Sequence, residues 1–148
     1  MIMQSADALP RLYEADETAW LETMVQLIGD GRLSELDYPH LREYLEDMAR
    51  RDRREVLSRL SLLLAHRLKW DHQSKRRSRS WRTTIEVQRQ ELAELLESGT
   101  LRNHALQSLP KAFANAIRQV VAETGLAESK LPAECPYSLD QLLQEPIQ

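Results

Sequence analysis

The longest helix-forming stretch of the chain runs from Asp37 to Trp70 and reads DYPHLREYLEDMARRDRREVLSRLSLLLAHRLKW. Apolar residues recur in it at spacings of three and four, which place side chains on one face of an α-helix. They are Leu41, Tyr44, Leu45, Met48, Val56, Leu60, Leu63 and Leu64. Pro39 lies near the start of the stretch, where a helix tolerates proline in its first turn. The stretch therefore predicts one long helix, the second of the chain.

The length of this helix raises a question about its shape. An unbroken helix over the stretch would be about 48 Å long, whereas a compact domain of this size is only about 40 Å across. We therefore expect the helix to kink, to project from the domain, or to support an oligomer. Asp52 and Glu55 have the spacing of a capping box, so Arg50 to Arg54 is the expected place for a break.

The remaining sequence also favours helices. The chain of 148 residues has only four Gly and six Pro, and aromatic residues make up only 5% of it. We predict an all-α, single-domain bundle of four to five helices over residues 1–148. Residues 126–148 are expected to form a less regular C-terminal tail with one short helical turn.

Helix ends are predicted from capping residues. Asp16 begins the first helix, and Ser78 or Ser80 begins the third, which ends at Gly99. A short helical piece is expected next. A fourth main helix then begins at Ser108, has Pro110 in its first turn and ends at Gly125, and Ser138 caps the last turn.

Positive charge is concentrated between His66 and Arg82. This run holds seven Lys or Arg residues and one Asp, although the whole chain has a net charge of −3. Such a cluster is typical of a surface that contacts nucleic acid or an acidic protein partner. The candidate binding residues are Lys69, Lys75, Arg76, Arg77, Arg79 and Arg82. In the alternative interpretation, these arginines form salt bridges with the acidic first helix and with Glu46 and Asp47.

Four polar residues share the apolar face of the second helix, namely Asp52, Glu55, Arg59 and His66. Burial of a charge without a partner is unfavourable, so we expect a buried polar network in which Glu55 pairs with Arg59. Arg59 and His66 also suggest an alternative function, a metal-independent ribonuclease in which His66 transfers protons and Arg59 stabilises the phosphate. Their spacing is similar to the Arg and His motif of HEPN ribonucleases.

Other site classes have no sequence signature. The four His residues are scattered, and the single Cys135 offers no thiolate pair, so we expect neither a metal nor a cofactor. No Gly-rich phosphate loop or nucleophile motif is present. A lone cysteine is compatible with the cytoplasm. Residues Met1 to Ser5 show no secretion signal, and the longest apolar run, Leu62 to Ala65, is too short to span a membrane.

Several segments together resemble one known family, the bacterial family catalogued as domain of unknown function 29. They are Glu14 to Asp16 with Trp20, Leu36-Asp37, Leu45 to Met48, Leu63 to His66, Leu68 to Trp70, Arg76 to Arg82, Ile85, and Glu134 to Tyr137. The resemblance covers nearly the whole chain and implies a small all-helical protein. It implies no activity.

The sequence thus leads to one main functional hypothesis and two alternatives. The main hypothesis is a non-enzymatic, cytoplasmic binding or adaptor protein that uses the basic inter-helix segment to contact nucleic acid or an acidic protein. The first alternative is the ribonuclease that uses Arg59 and His66. The second is a structural protein that forms a homo-dimer through the long second helix.

Overall fold

The structure is a computed structural model that describes residues 8–148, and helices form all of its regular structure. The six α-helices are α1 (Ala8–Ala15), α2 (Glu17–Gly29), α3 (Tyr38–His72), α4 (Arg79–Leu95), α5 (Gly99–Thr124) and α6 (Leu139–Gln144). Short 3₁₀ turns lie at Leu33–Glu35, Ser74–Arg76 and Glu128–Lys130. Since residues 8–148 contain no strand, the predicted all-α class is confirmed. The prediction about Met1 to Ser5 lies outside the described residues.

Contacts between residues divide the chain into two compact units, Met1–Arg50 and Arg51–Gln148. Helix α3 begins in the first unit and ends in the second. The single domain over residues 1–148 stays a prediction.

The first unit has a small core around Trp20. Trp20, Met24 and Leu27 of α2 are buried, and Leu41 and Tyr44 of α3 pack against them. Two further contacts fix the start of α3, because the buried Asp37 carboxylate accepts hydrogen bonds from the Trp20 indole at 3.1 Å and from the His40 ring at 2.8 Å.

The second unit has a larger core built from the second half of α3 together with α4, α5 and α6. Its fully buried side chains include Leu60, Leu63, Leu64, Leu68, Ile85, Leu92, Val120 and Leu142. The tail contributes to this core, since Leu131, Leu139 and Ile147 are also buried. A capping box at Ser138 begins α6.

Helix α3 continues through Arg50 to Arg54, where we expected a possible break. This part of the helix contains residues with high helix propensity and no Gly or Pro. Ion pairs one turn apart also support it, since Glu46 accepts hydrogen bonds from Arg42 at 3.0 Å and from Arg50 at 3.3 Å.

Helix α5 is one continuous helix, so the prediction of a short piece followed by a new helix at Ser108 is wrong. Ser98 caps the whole helix, so Gly99 begins α5 and does not end the third helix as predicted. Pro110 lies in the interior of α5. An interior proline removes one backbone hydrogen bond. Burial of Ala105 before the proline and of Phe113 after it holds both halves of the helix against the core. Tertiary packing therefore overrides the local signal to break.

Candidate functional site

The connection between α3 and α4 carries the candidate site, which we call the basic segment, residues 75–82. Helix α3 ends at His72, and a 3₁₀ turn at Ser74–Arg76 connects it to α4. The Ser78 hydroxyl then accepts a hydrogen bond from the Trp81 amide at 3.2 Å and begins α4. The basic segment is therefore a short loop followed by the first turn of a helix.

Five cationic side chains of the basic segment are exposed, and they are Lys75, Arg76, Arg77, Arg79 and Arg82. Within residues 51–148, none of the five forms an ion pair with a carboxylate. Their positive charge is therefore not neutralised inside the second unit. The alternative interpretation, pairing with the acidic first helix and with Glu46 and Asp47, stays a prediction.

Two arginines of the basic segment hold its conformation through Trp70. Arg77 donates a hydrogen bond from Nε to the Trp70 carbonyl at 2.8 Å, and its guanidinium lies 4.6 Å from the centre of the indole ring. The guanidinium of Arg82 lies 5.4 Å from the same ring. The indole N–H of Trp70 donates to the carbonyl of Gln148 at 3.0 Å. Because Trp70 is buried and covered in this way, it is not free to stack on an unpaired base.

The structure does not place Lys69 with the five exposed cations. Lys69 is only 5% exposed, and its Nζ lies 2.6 Å from the Glu123 carboxylate. It also lies 5.1 Å from the centre of the Trp81 ring. The hydrogen bond from Lys69 lowers the pKa of Glu123 below its ordinary value, although burial acts in the opposite direction. Lys69 therefore joins α3 to α5 inside the unit.

Arg67 is a second internal cation, and the sequence did not single it out. Its buried guanidinium donates to Asp71 at 3.0 Å and to Glu145 at 3.1 Å, and it lies 5.0 Å from the centre of the Tyr137 ring. Burial acts to lower the pKa of Arg67, but its bonds to Asp71 and Glu145 raise it overall. Arg89 donates to the carbonyls of two tail residues at 2.7 and 2.6 Å. These two arginines attach the tail to the core.

The predicted polar network is only partly assembled. Arg59 donates to Glu55 at 2.9 Å and to Gln88 at 3.1 Å, while Asp52 has no ion-pair partner within residues 51–148. His66 bonds through Nδ1 to the Leu62 carbonyl at 3.0 Å, and burial lowers its pKa. Asp52, Glu55, Arg59 and His66 are each half-buried, so none is completely removed from solvent.

The arrangement does not favour the ribonuclease alternative. No hydrogen bond joins Arg59 to His66 in the described part of the chain, and each is held by different neighbours. That function stays a prediction. Equal background cleavage of an RNA pool by the wild type and His66→Ala would contradict it.

The described residues also bear on metal binding and on membrane insertion. Across residues 8–148, no three side chains of His, Cys, Asp or Glu converge as metal ligands do. None of the described helices combines the length and apolar character needed to cross a membrane.

Comparison with known proteins identifies one family. The model of the family described as "Domain of unknown function DUF29" matches residues 12–147 of the 148-residue chain. No curated protein and no solved structure matches the chain.

Proposed function

The chain belongs to the DUF29 family, and we propose that it is a non-enzymatic module that binds nucleic acid through the basic segment. One observation carries this proposal. Five exposed Lys and Arg side chains lie within eight consecutive residues and have no carboxylate partner in their own unit. Clusters of exposed cations bind the phosphate backbone of nucleic acids and release its counterions.

The distribution of charge between the units supports the same function. Residues 1–50 hold 4 of the 20 Lys and Arg residues and 11 of the 23 Asp and Glu residues, which gives a charge of −7. Residues 51–148 hold the other 16 basic and 12 acidic residues, which gives +4. The second unit is therefore basic by itself, although the whole chain is acidic.

The proposed mode of binding is contact with phosphates rather than reading of bases. Arginine guanidinium groups bind phosphate oxygens through two parallel hydrogen bonds. The first turn of α4 adds the positive end of the helix dipole beside Arg79, and the exposed Ser80 hydroxyl is a further donor. Since Trp70 is covered, its indole is not available for stacking on a base. We therefore expect little dependence on base sequence.

Salt dependence of binding tests the proposal. We expect the wild type to bind a fluorescent oligonucleotide, with affinity falling about 100- to 500-fold between about 50 and 200 mM salt for five phosphate contacts. The triple variant Lys75→Ala, Arg76→Ala, Arg79→Ala should reduce the slope of log affinity against log salt by about 2 to 3. Fluorescence anisotropy at several salt concentrations measures both quantities.

A matched control removes the same charge elsewhere in the unit. Arg51, Arg53 and Arg54 are also exposed and lie on α3, so their triple Ala variant should leave the salt slope nearly unchanged. Equal losses in the two triple variants, or no binding by the wild type at low salt, would refute the proposal. Binding to polyglutamate but not to nucleic acid would indicate an acidic protein partner instead.

A cytoplasmic location belongs to the same proposal. Cys135 is a free thiol, and this is compatible with a reducing compartment. Fractionation of cells that express the chain measures its location, and recovery with secreted proteins would contradict this part of the proposal.

A second candidate function, self-association through α3, is favoured by one specific observation. Leu45 and Met48 continue the apolar stripe of Leu41 and Tyr44, yet they remain 59% and 36% exposed in the first unit. Arg42 and Glu46 are exposed beside this stripe, so an antiparallel packing of two copies of α3 places opposite charges along its edge. An apolar stripe with both charges beside it is self-complementary, as a two-fold interface requires.

Multi-angle light scattering tests self-association. The wild type should have twice the 17.2 kDa mass of one chain, and Leu45→Glu should reduce the mass to that of a monomer. Val25→Glu is the matched control, because Val25 is 69% exposed in the same unit but lies on α2. A wild type that stays monomeric at high concentration would exclude the dimer.

A further inference from the structure

An open groove runs along α5 in the second unit and plays no part in the proposed function. Its volume is about 1190 Å³, and one wall is α5 while the other is the segment of residues 128–135. Phe113, Ile117 and Leu131 are buried beneath it. We call this feature the α5 groove.

The apolar side chains of the α5 groove form a stripe along the helix. Leu106, Leu109, Phe113, Ile117 and Val121 all line it. From Leu106 to Val121 the stripe is about 22 Å long at 1.5 Å rise per residue. Leu106 is 50% exposed, and Ala114 is exposed as well, so part of the stripe has no cover from the chain itself.

The size of the α5 groove favours a polypeptide segment over a small molecule. Pockets for small molecules have volumes of roughly 300–1,000 Å³ and enclose most of their ligand. The α5 groove is larger and opens to solvent along its length, since Ala114, Arg118 and Ala133 in its lining are exposed. The length of the stripe, about 22 Å, equals four turns of an α-helix, so the groove has the length to hold a short helical segment.

Charges at the rim of the α5 groove indicate the character of its occupant. Glu128 and Glu134 lie on the wall of residues 128–135, are exposed, and form no ion pair within residues 51–148. Arg118 lies on the α5 wall, where it donates to the side-chain oxygen of Asn115. The charged residues that line the groove are therefore two carboxylates and one arginine, a net charge of −1, and Lys130 of the same segment does not line it. The acidic side of the rim complements basic residues of a partner.

We propose that the α5 groove binds an amphipathic helix of a partner protein. The apolar face of that helix packs on Phe113 and Ile117, and its Lys or Arg side chains lie beside Glu128 and Glu134. Helices bind grooves in this way through apolar residues at spacings of three, four and seven. The groove is separate from the basic segment, so the module holds a protein partner and nucleic acid at different sites.

A designed helical peptide serves as the probe. It has about 16 residues, with Leu at positions i, i+3, i+4 and i+7 of each repeat and Lys at the flanking positions. A second peptide has Glu in place of every Lys, and a third has the first composition in a scrambled, non-amphipathic order. Fluorescence anisotropy of each labelled peptide with the full chain measures the dissociation constant.

Two substitutions on α5 distinguish peptide binding in the α5 groove from binding elsewhere on the surface. Ala114 is exposed and lines the groove, whereas Ala122 is exposed on α5 but does not line it. We expect Ala114→Arg to weaken binding of the Lys peptide at least about 10-fold, and Ala122→Arg to change it less than about 2-fold. Circular dichroism checks that both variants keep their helical content.

The charge of the rim gives an independent test. The wild type should bind the Lys peptide at least about 10-fold more tightly than the Glu peptide, and Glu128→Lys with Glu134→Lys should reverse this preference. A trifluoromethyl label on Cys135, the only cysteine of the chain, should change its fluorine resonance when the Lys peptide binds, because Cys135 lines the groove.

Four outcomes would overturn the proposal. They are no binding of the Lys peptide, equal binding of the scrambled peptide, equal losses in Ala114→Arg and Ala122→Arg, and a preference that survives the double Glu→Lys change. Binding of an apolar dye that Ala114→Arg abolishes, without any peptide binding, would assign the groove to a small ligand instead.

Discussion

The first unit, residues 1–50, and the second unit, residues 51–148, bury very different numbers of apolar side chains, although α3 contributes to both. In residues 8–50 only Trp20, Met24 and Leu27 are buried apolar residues, whereas residues 51–148 hold twenty. The first unit also carries a charge of −7, against +4 in the second. Small units bury a lower fraction of their surface and are less stable. The stability of the first unit therefore depends on few residues, above all Trp20.

The largest expected effect follows from removing Trp20. Trp20→Ala should cost about 3–5 kcal/mol, because it leaves a cavity and removes one of the hydrogen bonds that the buried Asp37 carboxylate accepts. Hydrogen exchange measured by mass spectrometry should show loss of protection in residues 8–50 and retention in residues 56–70 and 105–120. Loss of protection over the whole chain would show that the two units unfold together, so that neither has a stability of its own.

The corresponding substitution in the second unit is Leu64→Ala. Leu64 is completely buried, so its truncation should cost about 2–5 kcal/mol. With twenty buried apolar residues, the second unit should still fold, and denaturation by urea should give a lower midpoint with an unchanged slope. A chain that fails to fold would mean that the larger core is no more tolerant than the smaller one.

A smaller loss of stability is expected when the ion pair of a buried lysine is broken. Glu123→Gln should cost about 1–3 kcal/mol, because it leaves the buried Lys69 ammonium without its carboxylate partner. Glu94→Gln is the control, since Glu94 is exposed and forms no ion pair within residues 51–148. Urea denaturation measures both variants, and equal midpoints would show that Lys69 finds other partners.

The side-chain cap at the start of α4 should contribute about 1 kcal/mol to the stability of the folded chain. Ser78→Ala removes the hydroxyl that accepts from the Trp81 amide, which typically costs about 0.5–2 kcal/mol. Ser80→Ala, two residues later on an exposed position, should change stability by less than about 0.5 kcal/mol. If thermal denaturation gives the same midpoint for both, the Ser78 cap does not stabilise α4.

The smallest expected effect is a dependence on pH that involves His66. Burial lowers the pKa of His66 below its ordinary value of 6.5 in the folded chain, so the unfolded chain binds the proton more readily. Its contribution to stability is therefore present above pH 6.5 and is lost as the pH falls below that value. The melting temperature of the wild type should fall between pH 7 and about 5.5, and His66→Gln should reduce this fall.

The pH window of His66 differs from that of the acidic groups. The pKa of Glu123 lies below its ordinary value of 4.5, so its contribution is lost only at more acidic pH. An unchanged fall between pH 7 and about 5.5 in His66→Gln would assign the effect to other groups.

Helix ends that depend on local chemistry were predictable from the sequence. Asp16, Ser78 and Ser138 each accept a hydrogen bond from an amide three residues later, and Gly125 takes the left-handed conformation that ends α5. These signals act within one helical turn, so no knowledge of the fold is needed to read them.

Helix α1 was not predicted, and the reason lies in its packing. It has only eight residues, fewer than a helix needs to be stable without tertiary contacts. Its Leu9, Leu12 and Tyr13 pack against the core around Trp20, with the Tyr13 ring 4.8 Å from the Trp20 ring. A helix this short is not stable by itself in water, so contacts with α2 decide it.

The candidate sites were predictable to different degrees. The cluster of cations from Lys75 to Arg82 follows directly from the sequence, because a short polar connector between helices is exposed. The α5 groove was not predicted, since Phe113, Ile117 and their neighbours have the pattern of an ordinary core face. Only the position of the segment of residues 128–135 leaves part of that face open to solvent.

The amino-acid sequence alone determined the helical class, most helix ends and the bipolar distribution of charge, because propensity, capping and charge are properties of neighbouring residues. The tertiary structure decided which cations are exposed. Lys69 belongs to the same basic run as Lys75, yet it is buried against Glu123, which lies 54 residues further along the chain. Burial depends on such distant contacts, and no local pattern contains them.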